Sequence, residues 1–303
     1  MTEKQPLQSE GAELELLLDE LQKEHAVREI SGWETGFTSL SRALDGIRPG
    51  LHLLIGPPAV GKTALAKQLM EQVVMRNLVP GIFFTFAERK KELRIRTLVR
   101  LSGVESREIR RGSAYLLHWY GVPRLRNEDA KELPPSWEKV RRSAEEAKSW
   151  LDLSYVVECG QGTTLQEIED QIQAVKQTKG RDQIIAVVDD AQRLRPTGQP
   201  FDQQVALIAD QLQATAVNSS VVLIAVWPDL HDEHHSSPQG WADKIPAADV
   251  VLVMERNVKR MEKLSPPNQA IKIHIVKNRG GERGSLDFDF APAFSRFTEL
   301  TST

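Results

Sequence analysis

One short stretch of the sequence has a clear chemical meaning. It matches the pattern G-x-x-x-x-G-K-[ST] and consists of Gly56-Pro57-Pro58-Ala59-Val60-Gly61-Lys62-Thr63. An apolar strand is predicted before it and a helix after it, which is the context that this phosphate-binding loop (P-loop) requires. The glycines let backbone N–H groups turn towards phosphate oxygens, and the helix N-terminus adds partial positive charge. Because Lys62 is expected to reach the β- and γ-phosphates and Thr63 to ligate magnesium, the stretch predicts a site for ATP and Mg²⁺.

Two further stretches place carboxylates where such a site needs them. The apolar run 184–188 predicts a buried strand, and Asp189 and Asp190 follow it directly. In P-loop proteins an aspartate at this point holds the magnesium ion. Asp189 is preferred because it comes first after the strand, although both could be solvated loop residues. Glu88 follows the predicted strand 81–86, where it could orient the attacking water or could be an exposed charge in a highly charged run.

Two other polar clusters are ambiguous. Lys277 and Arg279 follow the apolar run 271–276 and precede two glycines. An arginine supplied across a subunit boundary stabilises charge in phosphoryl transfer, and this spacing suits such a reach; a basic hairpin turn is the alternative. The segment His231-Asp232-Glu233-His234-His235 offers metal-ligating side chains. Its spacing fits no established zinc site, so we expect a solvated polar loop there.

Apolar strands alternate with helical patterns from residue 30 onward. Continuous apolar strands separated by helices indicate a mostly parallel sheet covered on both faces, and the fold class is therefore α/β. The alternating segment 285–290 predicts an antiparallel hairpin at the sheet edge with 271–276. The predicted strands are 52–55, 81–86, 153–157, 184–188, 221–226, 250–254 and 271–276, and the predicted helices are 62–77, 93–103, 164–176 and 202–217.

These elements indicate one domain, 30–303, preceded by a tail and an amphipathic helix within 1–29. Four leucines recur at helical spacing in 11–29, so this helix must pack on its own domain or on a neighbouring subunit; they are Leu14, Leu17, Leu18 and Leu21. Two stretches interrupt the alternation. Residues 113–136 suggest an inserted surface segment, and 227–248 suggest a long functional loop.

Composition limits the possible partners and location. The 303 residues carry a formal net charge of −3, so any nucleic acid would have to be held by a local basic patch. Cys159 is the single cysteine, which excludes an intramolecular disulfide and suits a reducing cytosol. No stretch approaches the roughly 20 apolar residues of a membrane span. We therefore expect a cytoplasmic protein with no membrane partner.

The sequence resembles the C-terminal motor domain of DnaB-type replicative helicases over most of its length, from about Trp33 to Leu300. Besides the P-loop, the matches occur in the family's order: Thr35-Gly36-Phe37-Thr38-Ser39-Leu40, Gly46-x-x-Pro49-Gly50, Val188-Asp189-Asp190-Ala191-Gln192-Arg193-Leu194, Ala248-Asp249-Val250-Val251, Lys277-x-Arg279 with Gly281, and Phe294-x-Arg296-Phe297.

This resemblance implies a RecA-like P-loop NTPase fold and a ring of identical subunits, usually a hexamer. It implies ATP hydrolysis between subunits that drives translocation on single-stranded DNA. It also implies that Lys277 and Arg279 act on the neighbour's nucleotide and that Gln192 belongs to the catalytic centre. The helix at 11–29 would correspond to the linker helix that docks on the next subunit.

Two departures from the family pattern matter. Ala87 stands where the family has its catalytic glutamate, and Glu88 is one residue late; KaiC-type ATPases carry two glutamates there, of which the second would match Glu88. In the region where the family brings a basic loop to DNA, Lys244 is the only lysine or arginine between Arg195 and Arg256. The main hypothesis is an ATP-driven helicase or translocase. The alternatives are a KaiC-like ATPase that remodels protein partners, and a nucleotide-binding module with little or no hydrolysis.

Overall fold

The computed structural model describes residues 30–111, 135–194, 201–228 and 245–300, together with residues 14, 17–19, 22, 238, 240 and 242. Most of three predicted segments, 11–29, 113–136 and 227–248, therefore lies outside the described residues. Within the first of them, residues 14, 17–19 and 22 are helical. The described leucines of that helix are about half exposed; they are Leu14, Leu17 and Leu18.

The described residues form one nine-stranded sheet in the order β3-β2-β4-β5-β1-β6-β7-β8-β9. The pairings from β3 to β6 are parallel, and those from β6 to β9 are antiparallel. The strands are β1 Gly50–Gly56, β2 Gly81–Thr85, β3 Ser154–Glu158, β4 Ile184–Asp189, β5 Val221–Pro228, β6 Val250–Arg256, β7 Gln269–Asn278, β8 Gly284–Ala291 and β9 Arg296–Glu299. The predicted mostly parallel sheet and its C-terminal hairpin are confirmed, and β9 extends the hairpin.

Helices connect the strands, and the four helices predicted between residues 62 and 217 are present. The described helices are α1 Thr38–Leu44, α2 Lys62–Asn77, α3 Lys90–Ser102, α4 Ser106–Arg111, α5 Pro135–Glu146, α6 Lys148–Leu151, α7 Leu165–Lys179, α8 Phe201–Asn218 and α9 Val258–Met261. α3 begins three residues earlier than predicted, because its first turn is charged and carries no apolar periodicity. α7 begins at a capping box in which Thr164 and Glu167 satisfy each other's backbone N–H groups, as the sequence pattern Thr164-x-x-Glu167 predicts.

The sheet is buried on both faces. Along β1, Leu54 belongs to one apolar core and its neighbours Leu53 and Ile55 to the other, because successive side chains point to opposite faces. The first core lies under α2 and continues to the aromatic residues of β8 and β9. The second lies under α7 and α8. This two-sided burial explains why the central strands are continuous apolar runs.

α2 is enclosed by the C-terminal strands as well as by the sheet. The Gln68 side chain accepts a hydrogen bond from the backbone N of Phe297 at 2.8 Å and donates one to its carbonyl at 3.0 Å, as a neighbouring strand would. Beside Gln68 lies a buried cluster of Lys67, Glu71 and Arg100, in which Glu71 forms an ion pair with each of the two cations. These contacts fix the middle of the helix that follows the P-loop.

Candidate active site

The P-loop lies between the end of β1 and the start of α2, as the sequence predicts. Ala59 and Gly61 both have positive φ, 61° and 96°. A Cβ on Gly61 would come within 2.8 Å of the Phe297 ring and 2.9 Å of the Phe290 ring, which stack on each other at 4.3 Å. Glycine is therefore required at position 61 both by backbone conformation and by the close packing of the C-terminal strands.

Lys62 curls back over the loop that precedes it. Its Nζ donates to the carbonyl oxygens of Gly56 at 2.6 Å and Pro57 at 2.9 Å. Arg256, at the end of β6, donates to the carbonyl of Pro58 in the same loop at 3.2 Å. This second contact was not predicted, because nothing in the local sequence links β6 to the P-loop. Two cations therefore border the predicted phosphate site.

Asp189 is the last residue of β4 and is buried beside the start of α2. Burial raises its pKa to about 6; a hydrogen bond with Thr63 opposes that rise, and the nearby charges of Asp190 and Glu88 add to it. Its Oδ2 is buried and has no hydrogen-bond partner among the described residues. A hydroxyl and an orphaned carboxylate oxygen side by side are hard oxygen donors of the kind that Mg²⁺ takes. Thr63 and Asp189 thus fit the predicted cation site.

Asp190 points to a different partner. Its Oδ2 accepts a hydrogen bond from Nε2 of Gln192 at 2.5 Å, and its carboxylate also accepts from the Gln192 backbone N. Burial raises its pKa, while both Gln192 contacts lower it. Because Asp190 caps the short turn after β4, the geometry favours Asp189 as the carboxylate that faces Thr63.

Glu88 lies at the same edge of the sheet, since β2 and β4 are parallel neighbours and Thr85 pairs with Asp189. Its backbone N donates to Oγ1 of Thr85 at 3.0 Å, which fixes the turn after β2. Its carboxylate accepts two hydrogen bonds from Arg96, at 2.9 Å from Nε and 2.6 Å from Nη2. Arg96 was not predicted as part of the site, because Glu88 lies in the turn before α3 and no helical spacing links the two residues.

Lys277 and Arg279 are placed away from this group. Arg279 Nη1 donates to Oδ1 of Asp249 at 2.9 Å, and the Arg279 backbone N donates to the Asp249 carbonyl. Asp249 is bonded to Leu51, near the amino end of β1. The P-loop begins at the carboxyl end of that strand, and five residues at about 3.3 Å each put about 17 Å between Leu51 and Gly56. The structure therefore brings Lys62, Thr63, Asp189 and Glu88 together, and leaves Lys277 and Arg279 at the opposite end of β1.

The remaining predictions concern metals and membranes. The segment 231–235 lies outside the described residues. Across the part of the chain that is described, no group of three or more His, Cys, Asp or Glu side chains could hold a metal ion. None of the described helices is long and apolar enough to cross a membrane. Cys159 is a free thiol whose pKa burial raises to about 11.

A parallel sheet with a P-loop after its central strand β1, and a carboxylate at the end of β4 on the far side of β5, defines a P-loop nucleotide-binding protein. Residues 32–239 match the sequence model of the family described as DnaB-like helicase C terminal domain. This match covers more than half of the chain, and the protein belongs to that family.

Sequence relatives and solved structures agree with this assignment. The chain is 24% identical over 301 residues to the replicative DNA helicase DnaB of Leifsonia xyli, covering 93% of this chain and 59% of the relative. It is 25% identical over 328 residues to the DnaB of Pasteurella multocida, covering 99% and 64%. The chain thus spans about three-fifths of the length of these relatives.

Two solved structures share the fold. One is the structure of an ATPase domain, which superposes with a TM-score of 0.77 at 20% identity, and the match covers 98% of this chain and 100% of that one. The other, the structure of a DnaB-like replicative helicase and its interactions with primase, gives a TM-score of 0.73 at 19% identity, covering 99% and 69%. At these identities the likeness establishes the RecA-like fold alone.

Proposed function

We propose that this chain is the ATP-hydrolysing motor domain of a DnaB-like helicase, which works as a ring on single-stranded DNA. The observation that carries this proposal is the meeting of the P-loop, Asp189 and Glu88 at the carboxyl edge of one parallel sheet. Residues 30–303 form the ATPase domain in this proposal. The helix within 11–29, with its exposed leucines, would be the linker-type helix that docks on the next subunit.

The binding half of the site consists of Gly56–Thr63 and Asp189. The backbone of the loop and the Lys62 ammonium would hold the triphosphate, with Lys62 leaving its carbonyl partners for the β- and γ-phosphates. Thr63 and Asp189 would hold magnesium, which neutralises phosphate charge when bound. A pKa of about 6 means that Asp189 is ionised at neutral pH and available to a cation.

Glu88 is proposed to orient the attacking water. Ala87 occupies the family's glutamate position but is exposed, whereas the Glu88 side chain is only 25% exposed and its charge acts on Asp189. An ionised carboxylate has about four acceptor positions, so the two bonds from Arg96 leave room for a water molecule. Arg96 would hold the Glu88 carboxylate in place. Gln192, bound to Asp190, stays a candidate of the same centre.

Lys277 and Arg279 are proposed to act on the nucleotide of a neighbouring subunit. Their place at the amino end of β1, about 17 Å of strand away from the P-loop of their own chain, supports action in trans. A closed ring, usually a hexamer in this family, would give every P-loop such a neighbour. A reducing, cytoplasmic location is part of the same proposal, in keeping with the single free thiol at Cys159.

Single-stranded DNA is the proposed substrate of the motor, although the segment expected to contact it has few cations. The family assignment favours this hypothesis over a KaiC-like ATPase that remodels protein partners. The decisive measurement is ATP turnover with and without single-stranded DNA, together with native mass in the presence of ATP and magnesium. DNA-stimulated turnover by a ring is expected. Turnover that DNA does not change would favour the KaiC-like alternative, and a strictly monomeric protein would refute the ring.

The control for this assay is Lys62→Ala. It removes the ammonium expected on the β- and γ-phosphates, so it should abolish turnover and greatly weaken binding of a fluorescent ATP analogue. Unchanged affinity and turnover in this variant would contradict the assignment of the P-loop site.

A further inference from the structure

Asp249 connects the strand that carries the P-loop to the residues proposed to act in trans. It directly precedes β6, and its carboxylate is only partly exposed. Oδ2 accepts the backbone N–H of Leu51 at 2.9 Å, and Oδ1 accepts Nη1 of Arg279 at 2.9 Å. Its backbone N also donates to the Leu51 carbonyl at 2.9 Å, and its own carbonyl accepts from the backbone N of Arg279 at 3.0 Å. One aspartate thus fixes both the main chain and the guanidinium of Arg279 to β1.

The carboxylate of Asp249 has little freedom of its own. Gly50, with φ of 142°, lies so close that a Cβ there would collide with Asp249 Oδ2. The Leu51 N–H is shared with Oε1 of Gln213 at 3.0 Å, so β1 keeps an acceptor when Asp249 is changed. Asp249 is therefore a rigid support for Arg279, while the hydrogen bonding of β1 does not depend on it alone.

Arg279 would otherwise be a long and flexible side chain on an exposed strand end, with 55% of the side chain accessible. Besides Asp249, it binds the Pro246 carbonyl through Nη2 at 3.1 Å. The same carbonyl accepts from Lys277 Nζ at 2.7 Å, so the two cations lie side by side. These two bonds use two of the five N–H donors of a guanidinium. The fixed group can therefore still bind a phosphate oxygen.

We propose that Asp249 is a positioning residue for catalysis in trans: it holds Arg279 in the orientation in which that arginine meets the nucleotide of a neighbouring subunit. This inference rests on the proposed trans action of Arg279. Small displacements of a catalytic group cost about 10²-fold in rate, and loss of an arginine finger costs about 10³-fold or more. Asp249→Asn is therefore expected to lower kcat by about 10- to 100-fold with little change in nucleotide affinity.

Mixing two defective variants provides the test. Asp249→Asn leaves its own P-loop intact and weakens the arginine that it offers to a neighbour, whereas Lys62→Ala does the reverse. Mixed rings of these two contain interfaces with an intact P-loop and a well-placed Arg279, so turnover should exceed the sum of the separate variants. Asp249→Asn mixed with Arg279→Ala should gain nothing, because both defects lie in the same half of the interface. Asp249→Glu, which keeps the charge but displaces the carboxylate, should behave like Asp249→Asn.

Each outcome is decisive. If Arg279→Ala complements Lys62→Ala but neither Asp249 variant does, the positioning role is overturned while the trans arginine stands. If mixing Arg279→Ala with Lys62→Ala also restores no turnover, catalysis in trans is refuted, and the positioning role of Asp249 is refuted together with it. Asp289→Asn is the matched control. Asp289 lies on β8, and the same change of side chain there removes a 2.8 Å ion pair with Arg260. This control should keep the wild-type kcat. A loss of kcat equal to that of Asp249→Asn would show that any lost ion pair in the sheet has this effect, and would contradict a specific role for Asp249.

Discussion

Replacement of Asp189 by asparagine is expected to stabilise the nucleotide-free protein while it abolishes ATP turnover. Asp189 is 3% exposed, and one of its oxygens is buried with no hydrogen-bond partner among the described residues. An ionised carboxylate in such a place is disfavoured unless a cation or a donor compensates for the lost hydration. Asparagine has nearly the same shape, can still accept from Thr63, and carries no charge.

The magnitude follows from the pKa. Raising the pKa of a carboxyl group from 3.8 to about 6 corresponds to about 3 kcal/mol of destabilisation once the group is ionised in both the folded and the unfolded state. Because the folded pKa is the higher one, the penalty is absent below pH 3.8, grows between the two pKa values and is constant above pH 6. Only about half of it, roughly 1.5 kcal/mol, should be present at pH 5.

Urea unfolding of the two proteins in EDTA, without nucleotide, at pH 5 and pH 8 measures this effect. The variant should be more stable at both values, with a larger gain at pH 8, and the exposed Asp182→Asn change should show no such trend. Added magnesium and ADP should reverse the order, because they stabilise the state that keeps Asp189. A variant less stable than the wild type at pH 8, or a gain that does not depend on pH, would refute the reasoning.

Three further predictions follow from the packing and the site. Glu71→Ala leaves the buried cations Lys67 and Arg100 without their carboxylate, so it should lower the free energy of unfolding by about 3–5 kcal/mol in a denaturant titration. Glu34→Ala breaks the exposed ion pair with Arg76 and should change the free energy of unfolding by under about 1 kcal/mol. Gly61→Ala should cost about 2–4 kcal/mol and most of the nucleotide affinity, while Gly162→Ala, which points into open space, should leave the melting temperature and ATP binding unchanged. Glu88→Gln should keep ATP binding and lose at least about 10²-fold in turnover; wild-type turnover would show that another group orients the water.

The parts of this molecule that could be predicted from the sequence are those that local chemistry determines. The P-loop is continuous in the chain, so its eight residues and its flanking strand and helix follow from one pattern. The two-sided burial of the parallel strands makes them continuous apolar runs, which is why the strand ending at Asp189 was placed to within one residue. The Thr164 capping box is likewise local.

The contacts that were missed join positions far apart in the chain. Gln68 imitates a strand partner for Phe297, which lies 229 residues away, and no local pattern marks a glutamine for that role. Arg256 reaches Pro58 because β6 pairs directly with β1, and Asp249 meets Arg279 because β7 pairs with β6. In each case no local sequence pattern marks the contact, because the partner comes from an element that only the folded structure brings close.

The direction of β1 places the P-loop and Arg279 at opposite ends of the strand, which bears on how the proposed catalysis is divided between subunits. The P-loop follows the carboxyl end of β1, whereas Asp249 binds both Arg279 and Leu51, which lies near the amino end of β1. This central strand therefore separates Arg279 from the P-loop within one chain, so a single copy would hold the proposed nucleotide-binding half and the proposed arginine-donating half at opposite ends of β1. Bringing Arg279 to the phosphates would require a second copy. Defects in the two halves should thus be separable by mixing, which a site closed within one chain would not allow.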